Sequence, residues 1–215
     1  LFDLVYGVND AGDFSFGSNL DGDTAIDEVI VKSTPGGLAI VAREGTAIPA
    51  QAGSVYGTTA NGATIQNDGT VSFHFSINTG TTTEGWFTDD GNTLLAQEGV
   101  TIPANQGGGL MDTFRQLDSG SAAGQGIYFS ADGADSVGRG FVGVADTDDL
   151  VLVVDGSVVL QEGYIVPGSS FASPISSTGI LMNYMEPHGN WFARYGCVRE
   201  WVVQGTDIFV GLGWP

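Results

Sequence analysis

The 215-residue chain is predicted to be all-β, with about four pseudo-repeats closed into a propeller-like or barrel-like architecture. An apolar run followed by Glu-Gly-x-x-x-Pro occurs three times, which indicates a repeat architecture. Short alternating segments are separated by Gly, Asp and Asn clusters, as strands joined by tight turns are. The chain also has 34 glycines, a number that suits turns and disfavours helices.

The repeated motif keeps its Glu, Gly and Pro at fixed positions in each copy. A catalytic carboxylate is needed once, so its threefold use favours a structural role over repeated ligand contacts. We expect the Glu to accept backbone N–H bonds at a turn, the Gly to adopt positive φ, and the Pro to end the strand. The copies comprise Glu44, Gly45 and Pro49, then Glu98, Gly99 and Pro103, and finally Glu162, Gly163 and Pro167.

The spacing of the motif predicts one domain, 1–215, made of four units. The second Glu-to-Glu spacing is longer than the first, which predicts an insertion near 132–140 or 151–156, and a worn fourth copy is predicted at 202–208. Each unit is expected to begin with a turn and an alternating strand, followed by a second strand and then the apolar run. The predicted units are 1–56, 57–114, 115–173 and 174–215, with first strands at 14–16, 71–77, 127–129 and 180–184 and second strands at 29–31, 86–87, 141–144 and 191–192.

The two ends of the chain are predicted to be complementary. The first unit begins at its strand, and the last lacks a full motif. The N-terminal strand is therefore expected to complete a sheet, either in its own chain or in a neighbouring copy by strand addition. The residues of this predicted assembly strand are Leu1, Phe2, Leu4, Tyr6 and Val8.

The units resemble the tandem repeats of secreted bacterial proteins of the exosortase or choice-of-anchor type. Those repeats have an Asn-x-x-Gly-x-x-x-Phe core followed by Glu-Gly-x-x-x-Pro. Asn9, Gly12 and Phe16 carry the core in the first unit, and a turn one residue shorter carries it from Asn67 to Phe73 in the second. The resemblance covers almost the whole chain and implies an extracellular β-rich protein without an assigned activity.

Composition limits the range of partners. The formal net charge is -19, which makes nucleic acid and anionic membrane surfaces improbable partners. The sequence contains no run of 18 apolar residues, so membrane insertion is not predicted. The single cysteine, Cys197, allows no internal disulfide. We expect an extracellular or cell-surface protein.

The acidic turn between the first and second predicted strands of the first unit is a candidate calcium site. Its residues partly resemble an EF-hand loop, but Gly17 falls at the first ligand position and the flanks are predicted strands. An ordinary solvated turn is therefore the favoured interpretation. The candidate ligands are Asp21, Asp23, Asp27 and Glu28.

The sequence carries no pattern that predicts catalysis. His74 and His188 are far apart and have no zinc-ligand spacing, and no nucleophile elbow, P-loop or dinucleotide fingerprint occurs. His74 is predicted to face outward, opposite Phe73 and Phe75. The tryptophans are predicted to be mainly core residues, with sugar stacking as the alternative for Trp86, Trp191, Trp201 and Trp214.

These observations favour a structural extracellular protein that is not an enzyme and needs no cofactor. It is expected to self-assemble into a fibre, a pilus-like filament or a surface layer by N-terminal strand complementation. The alternative is a monomeric extracellular module that binds a surface glycan or calcium.

Overall fold

A computed structural model describes residues 6–20, 22–104, 111–113, 127–142, 150–164, 180–185, 191–195, 200–204 and 208–212. These residues form seventeen β-strands and one 3-10 helix, Asp89–Gly91, with no α-helix among them. The prediction of an all-β chain is therefore confirmed. In this described part of the chain, no helix is long and apolar enough to cross a membrane.

The strands form four antiparallel sheets, and in three of them all successive strands of the chain pair. Sheet 1 comprises β1 (Tyr6–Val8), β2 (Phe14–Asn19), β3 (Glu28–Thr34) and β4 (Gly37–Arg43), and sheet 2 comprises β5 (Val55–Ile65), β6 (Val71–Asn78), β7 (Thr82–Thr88) and β8 (Thr93–Gln97). Sheet 3 comprises β9 (Met111–Thr113), β10 (Ile127–Phe129), β11 (Ser136–Val142), β12 (Leu150–Val154) and β13 (Ser157–Gln161). Sheet 4 comprises β14 (Ile180–Met185), β15 (Trp191–Tyr195), β16 (Glu200–Gln204) and β17 (Ile208–Leu212). Among the described residues these sheets do not join into a closed barrel or propeller.

Short polar turns join the first two strands of sheets 1 and 2. The side-chain oxygen of Asn9 accepts hydrogen bonds from the Ala11 and Asp13 amides, at 3.0 and 2.9 Å. Gly12 follows with a φ of +84°, a conformation that glycine adopts without a steric penalty. Asx-type bonding and a left-handed glycine explain why an Asn-x-x-Gly sequence produces a hairpin here.

The order of strands in units 3 and 4 differs from the prediction. Segment 127–129 is the first strand of its hairpin, and β11 is the counterpart of β6. Segments 141–142 and 191–192, predicted as counterparts of 29–31 and 86–87, lie in β11 and β15, which correspond to β2 and β6 and not to β3 and β7. The polar/apolar alternation identified strands but could not count them, because it looks the same in every strand of a sheet.

The insertion in the third unit lies elsewhere than predicted. β9 and β10 both pair with β11, at Phe141↔Thr113 and Ile127↔Gly138, as two segments of one outer strand. In sheet 2 the same role is filled by β5 alone, with a register shift between Tyr56 and Ala60. The extra residues therefore fall between β9 and β10, at 114–126, and not at 132–140 or 151–156.

The predicted worn copy of the motif is also reassigned. Residues 202–204 end β16, and Ile208 begins β17. The segment 202–208 is thus the counterpart of the link between β3 and β4, not of Glu-Gly-x-x-x-Pro. The motif position, directly after the fourth strand, falls on residue 213, outside the described residues.

Sheets 1, 2 and 3 are stacked, and each contact uses equivalent faces. We call the face that packs on the next sheet the forward face, and the face that receives the preceding sheet the rear face. Ile30 and Ala42 on the forward face of sheet 1 pack against an aromatic rear face of sheet 2 that includes Phe73, Phe75 and Phe87. Trp86 and Ala96 on the forward face of sheet 2 pack against Ile127, Val151 and Val153 on the rear face of sheet 3. Sheet 2 is consequently buried on both sides.

Glycines allow the sheets to approach closely. A Cβ atom on Gly7 in β1 would lie 2.6 Å from the Cα atom of Thr64 in β5. A Cβ atom on Gly138 in β11 would lie 2.3 Å from the Cη2 atom of Trp86. Since real Cβ atoms do not approach other atoms that closely, both glycines are required by packing rather than by a turn.

The prediction that His74 faces outward is wrong. Its residue exposure is only 1%, and its Nε2 atom lies 3.4 Å from the Glu84 carboxylate. Side chains along β6 alternate between an aromatic face and a face of small and polar residues. Sheet 1 covers the aromatic face, and sheet 3 covers the face that carries His74. A period of two residues in a sheet that is buried on both faces therefore does not indicate which residues contact solvent.

Candidate functional site

The first Glu-Gly motif forms the exit from sheet 1. The Glu44 amide donates a hydrogen bond to the Glu28 carbonyl at 2.9 Å, and the Glu44 carboxylate accepts one from the Glu28 amide at 3.5 Å. Gly45 has a φ of +75°, and its amide donates to the Tyr56 carbonyl at 2.8 Å. The motif thus ends β4, turns the chain and attaches it to the first strand of sheet 2.

The backbone of this turn recurs in the second and third copies. The Glu98 amide donates across the sheet to the Glu84 carbonyl in β7 at 2.8 Å, and the Glu162 amide donates to the Leu150 carbonyl in β12 at 2.9 Å. Gly99 and Gly163 have φ values of +70° and +77°. In all three copies the strand ends directly before the Glu, at Arg43, Gln97 and Gln161.

The motif prolines lie beyond the strand ends. Pro49 is exposed and Pro103 is buried, both within the loop that follows the Glu-Gly turn. They are therefore loop residues rather than strand terminators. Pro167 lies outside the described residues.

Electrostatics distinguish the buried Glu44 from an ordinary surface carboxylate. Glu44 is 5% exposed. Burial raises its pKa, and the neighbouring Asp27 carboxylate raises it further. The ionised form of this turn residue is consequently disfavoured in the folded chain.

The carboxylates of the predicted calcium turn have local structural partners. Asp23 accepts a hydrogen bond from the Ala25 amide at 3.0 Å, and Glu28 accepts one from the Asn19 side chain at 2.9 Å. Across the described residues, no group of three or more His, Cys, Asp or Glu side chains is arranged to hold a metal ion. Asp21 is outside that part of the chain.

The described part of the predicted assembly strand pairs within its own chain. In β1, Tyr6 lies opposite Phe16 and Val8 lies opposite Phe14. Leu1, Phe2 and Leu4 are outside the described residues. The strand therefore completes sheet 1 at least over Tyr6–Val8.

The rear face of sheet 1 is partly open. Four apolar side chains, Val8, Phe14, Leu38 and Ile40, are 52%, 39%, 63% and 52% exposed. We call these four residues the open patch. In sheet 2 the counterparts of Val8 and Phe14 are Ile65 and Val71, which sheet 1 covers to exposures of 3% and 0%.

Lys32 links sheets 1 and 2 through a contact that no sequence motif predicts. Its Nζ atom donates to the Gly69 carbonyl at 2.9 Å and pairs with the Asp90 carboxylate. Asp90 also accepts a hydrogen bond from the Val71 amide at 2.8 Å. The sequence signal that could have pointed to this ion pair is that Lys32 is the sole lysine of a strongly acidic chain.

Trp86 is a core residue, and the predicted sugar-stacking role does not suit it. Its exposure is 3%, because its ring is packed against Gly138. The side chains of Trp191, Trp201 and Trp214 are not described. Trp86 therefore offers no exposed ring face on which a sugar could stack.

No protein-family model matches the chain, and comparison with curated proteins gives no significant match. The resemblance to secreted bacterial repeats therefore stays a prediction.

Proposed function

We propose that this chain is a structural extracellular protein that self-assembles, with the open patch as its contact surface. The observation that carries the proposal is the exposure of Ile40, at 52%, on a sheet face where its counterparts in sheets 2 and 3, Leu94 and Val158, are partly buried against core clusters. The proposal includes no catalytic activity, no nucleic-acid partner and no membrane insertion.

The energetics favour covering the patch. Burying a Val, Leu, Ile or Phe side chain fully is worth about 1.5–3 kcal/mol, and the patch side chains are roughly half exposed. Covering all four would contribute several kcal/mol, on the order of what a weak but specific contact needs. The net charge of -19 keeps separate copies soluble and opposes association at low ionic strength.

A forward face from another copy is the partner we propose. Within the chain, forward faces pack on rear faces at both described contacts between sheets 1, 2 and 3. In sheet 4 the apolar residue types Phe192, Val203 and Phe209 are in register across three strands, with Phe192 opposite Val203 and Val203 opposite Phe209. Stacking sheet 4 of one copy on sheet 1 of the next makes a head-to-tail polymer.

Closure within one chain is the competing arrangement. If sheet 4 covered sheet 1 of its own chain, the four sheets would form the predicted propeller-like ring. Among the described strands, β14 packs against β10, β11 and β12 of sheet 3, and no strand of sheet 4 packs comparably on sheet 1. This favours contact between copies.

Sedimentation velocity over a range of concentrations, with electron microscopy of the same samples, tests the proposal. We expect the wild-type chain to associate at physiological ionic strength and Leu38→Glu to be monomeric. Val100→Glu is the matched control, because Val100 is 64% exposed but lies outside the patch. A wild-type chain that stays monomeric at its highest soluble concentration would overturn self-assembly.

A shortened chain separates the patch from strand complementation. Deleting residues 1–5 removes Leu1, Phe2 and Leu4 but keeps β1 and the patch. Complementation predicts that this chain loses assembly, whereas contact through the patch predicts that assembly persists.

A further inference from the structure

A cleft of about 320 Å³ lies between sheets 2 and 3, away from the open patch. Its walls are mainly apolar, with one carboxylate and two hydroxyl groups. The residues that matter for its chemistry are Trp86, Ala96, Ile102, Phe129, Ser136 and Asp155. A volume of this size lies at the lower end of the range for small-molecule sites.

The equivalent space between sheets 1 and 2 is filled. The pair Trp86↔Ala96 on the forward face of sheet 2 corresponds to Ile30↔Ala42 in sheet 1. There Ile48, four residues after the motif Glu, is 2% exposed and belongs to the core cluster. Its counterpart Ile102, also four residues after a motif Glu, is 62% exposed at the mouth of the cleft. The cleft is therefore the position of a missing branched aliphatic side chain.

The backbone explains why Ile102 does not fill the cleft. In the first copy the Ile48 amide donates to the Ser54 carbonyl at 3.1 Å, which folds the loop back over the core. In the second copy the loop is attached to sheet 3 instead. The Ala104 amide donates to the Gly156 carbonyl at 2.9 Å, and the Val158 amide donates to the Ala104 carbonyl at 2.8 Å. These two bonds accompany the placement of Ile102 at the mouth of the cleft, where its side chain does not fill the space that Ile48 fills in the first copy.

The polar groups at the rim favour a cation. The Asp155 Oδ1 atom accepts hydrogen bonds from the Ser136 amide at 2.7 Å and from its hydroxyl at 3.3 Å. Asp155 is itself exposed at the cleft. No Lys or Arg is among the residues described around the cleft. A carboxylate that has no basic group among the described lining residues, on a chain of charge -19, attracts protonated amines and repels anions.

We propose that this cleft binds a small apolar amine, with an aromatic or branched aliphatic group where Ile48 lies in the first interface and a protonated amino group next to Asp155. The apolar group supplies most of the binding free energy through burial. The carboxylate supplies the preference for a cation. This site is independent of the proposed self-assembly.

Calorimetric titration of the full chain with 2-phenylethylamine and with 2-phenylethanol tests the proposal. The two probes share their apolar group and differ in charge. We expect the wild-type chain to bind the amine about two- to fivefold more tightly than the alcohol, the size of a partly exposed charge interaction. Equal affinities for the two probes, or no binding of either at the limit of solubility, would overturn the proposal.

Two variants assign the two halves of the site. Asp155→Asn keeps an oxygen that can accept the Ser136 bonds and suits the φ of +49° at this position, so the fold should persist. We expect it to bind both probes equally. Ala96→Leu places extra atoms in the cleft and should weaken both probes together. If Ala96→Leu misfolds, the Asp155→Asn result alone decides: an amine preference that survives this change refutes the site.

Discussion

The substitution Gly138→Ala should destabilise the chain through a single contact. Gly138 lies within β11, paired with Ile127 and Val153, and needs no positive φ. An alanine Cβ would lie 2.3, 2.6 and 2.8 Å from three atoms of the Trp86 six-membered ring. Because Trp86 is 3% exposed and held between sheets 2 and 3, its ring cannot swing into solvent. The strain should therefore appear in the free energy of unfolding.

We expect Gly138→Ala to lower the free energy of unfolding by about 1–3 kcal/mol, the usual cost of forcing extra atoms into a packed core. For a chain of this length each kcal/mol corresponds to a fall in Tm of about 2–4 °C. Urea unfolding followed by circular dichroism measures the first quantity, and calorimetry measures the second. Gly36→Ala is the control, since a Cβ at Gly36 meets only the Thr34 hydroxyl, at 3.8 Å.

A double-mutant cycle with Trp86→Phe tests the reasoning. Phenylalanine lacks the outer ring atoms that meet the new Cβ, so the two changes together should cost less than the sum of each alone. The coupling should exceed about 0.5 kcal/mol, the limit within which independent sites add. Additive costs would show that the Gly138 contact with Trp86 is not the cause.

Three further substitutions probe other contacts. Lys32→Met should lower the free energy of unfolding by about 1–2 kcal/mol, because it removes charge-assisted hydrogen bonds to the Asp90 carboxylate and to the Gly69 carbonyl. This loss of stability should be smaller in high salt. A loss that does not depend on salt would contradict a stabilising ion pair. Glu44→Gln should raise Tm at neutral pH, because a folded-state pKa above the ordinary value means that the ionised carboxylate weakens the fold. This gain in Tm should vanish as the pH falls below 4.5, the ordinary pKa of a glutamate carboxyl. A gain in Tm that stays constant with pH would contradict this explanation. Gly7→Ala should lower the free energy of unfolding, measured in urea, by about 1–3 kcal/mol, since the new Cβ atom meets the Thr64 backbone. An unchanged midpoint of unfolding would mean that sheets 1 and 2 are packed less closely than this contact implies.

The sequence was sufficient to predict an all-β chain and a left-handed glycine after each motif Glu. Glycine at positive φ and Asn-x-x-Gly turns depend on backbone sterics and on bonds within a few residues, so they can be predicted locally. The backbone geometry at Gly45, Gly99 and Gly163 follows from such local constraints.

Features that depend on the stacking of sheets could not be predicted. His74 has the sequence pattern of a solvent-facing residue, and only the placement of sheet 3 over the forward face of sheet 2 buries it. The opposite exposures of Ile48 and Ile102 arise because Ala104 pairs with sheet 3, a contact between residues more than 50 positions apart. One sequence motif therefore led to two different tertiary outcomes.

The layered packing has a consequence for how the chain comes apart. The described buried residues form separate clusters, including one between sheets 1 and 2 and another between sheets 2 and 3. In such a one-dimensional array each layer is stabilised only by its neighbours. Opening can start at an outer sheet and stop at the next boundary, so amide hydrogens in β6, which is covered on both sides, should exchange with solvent last.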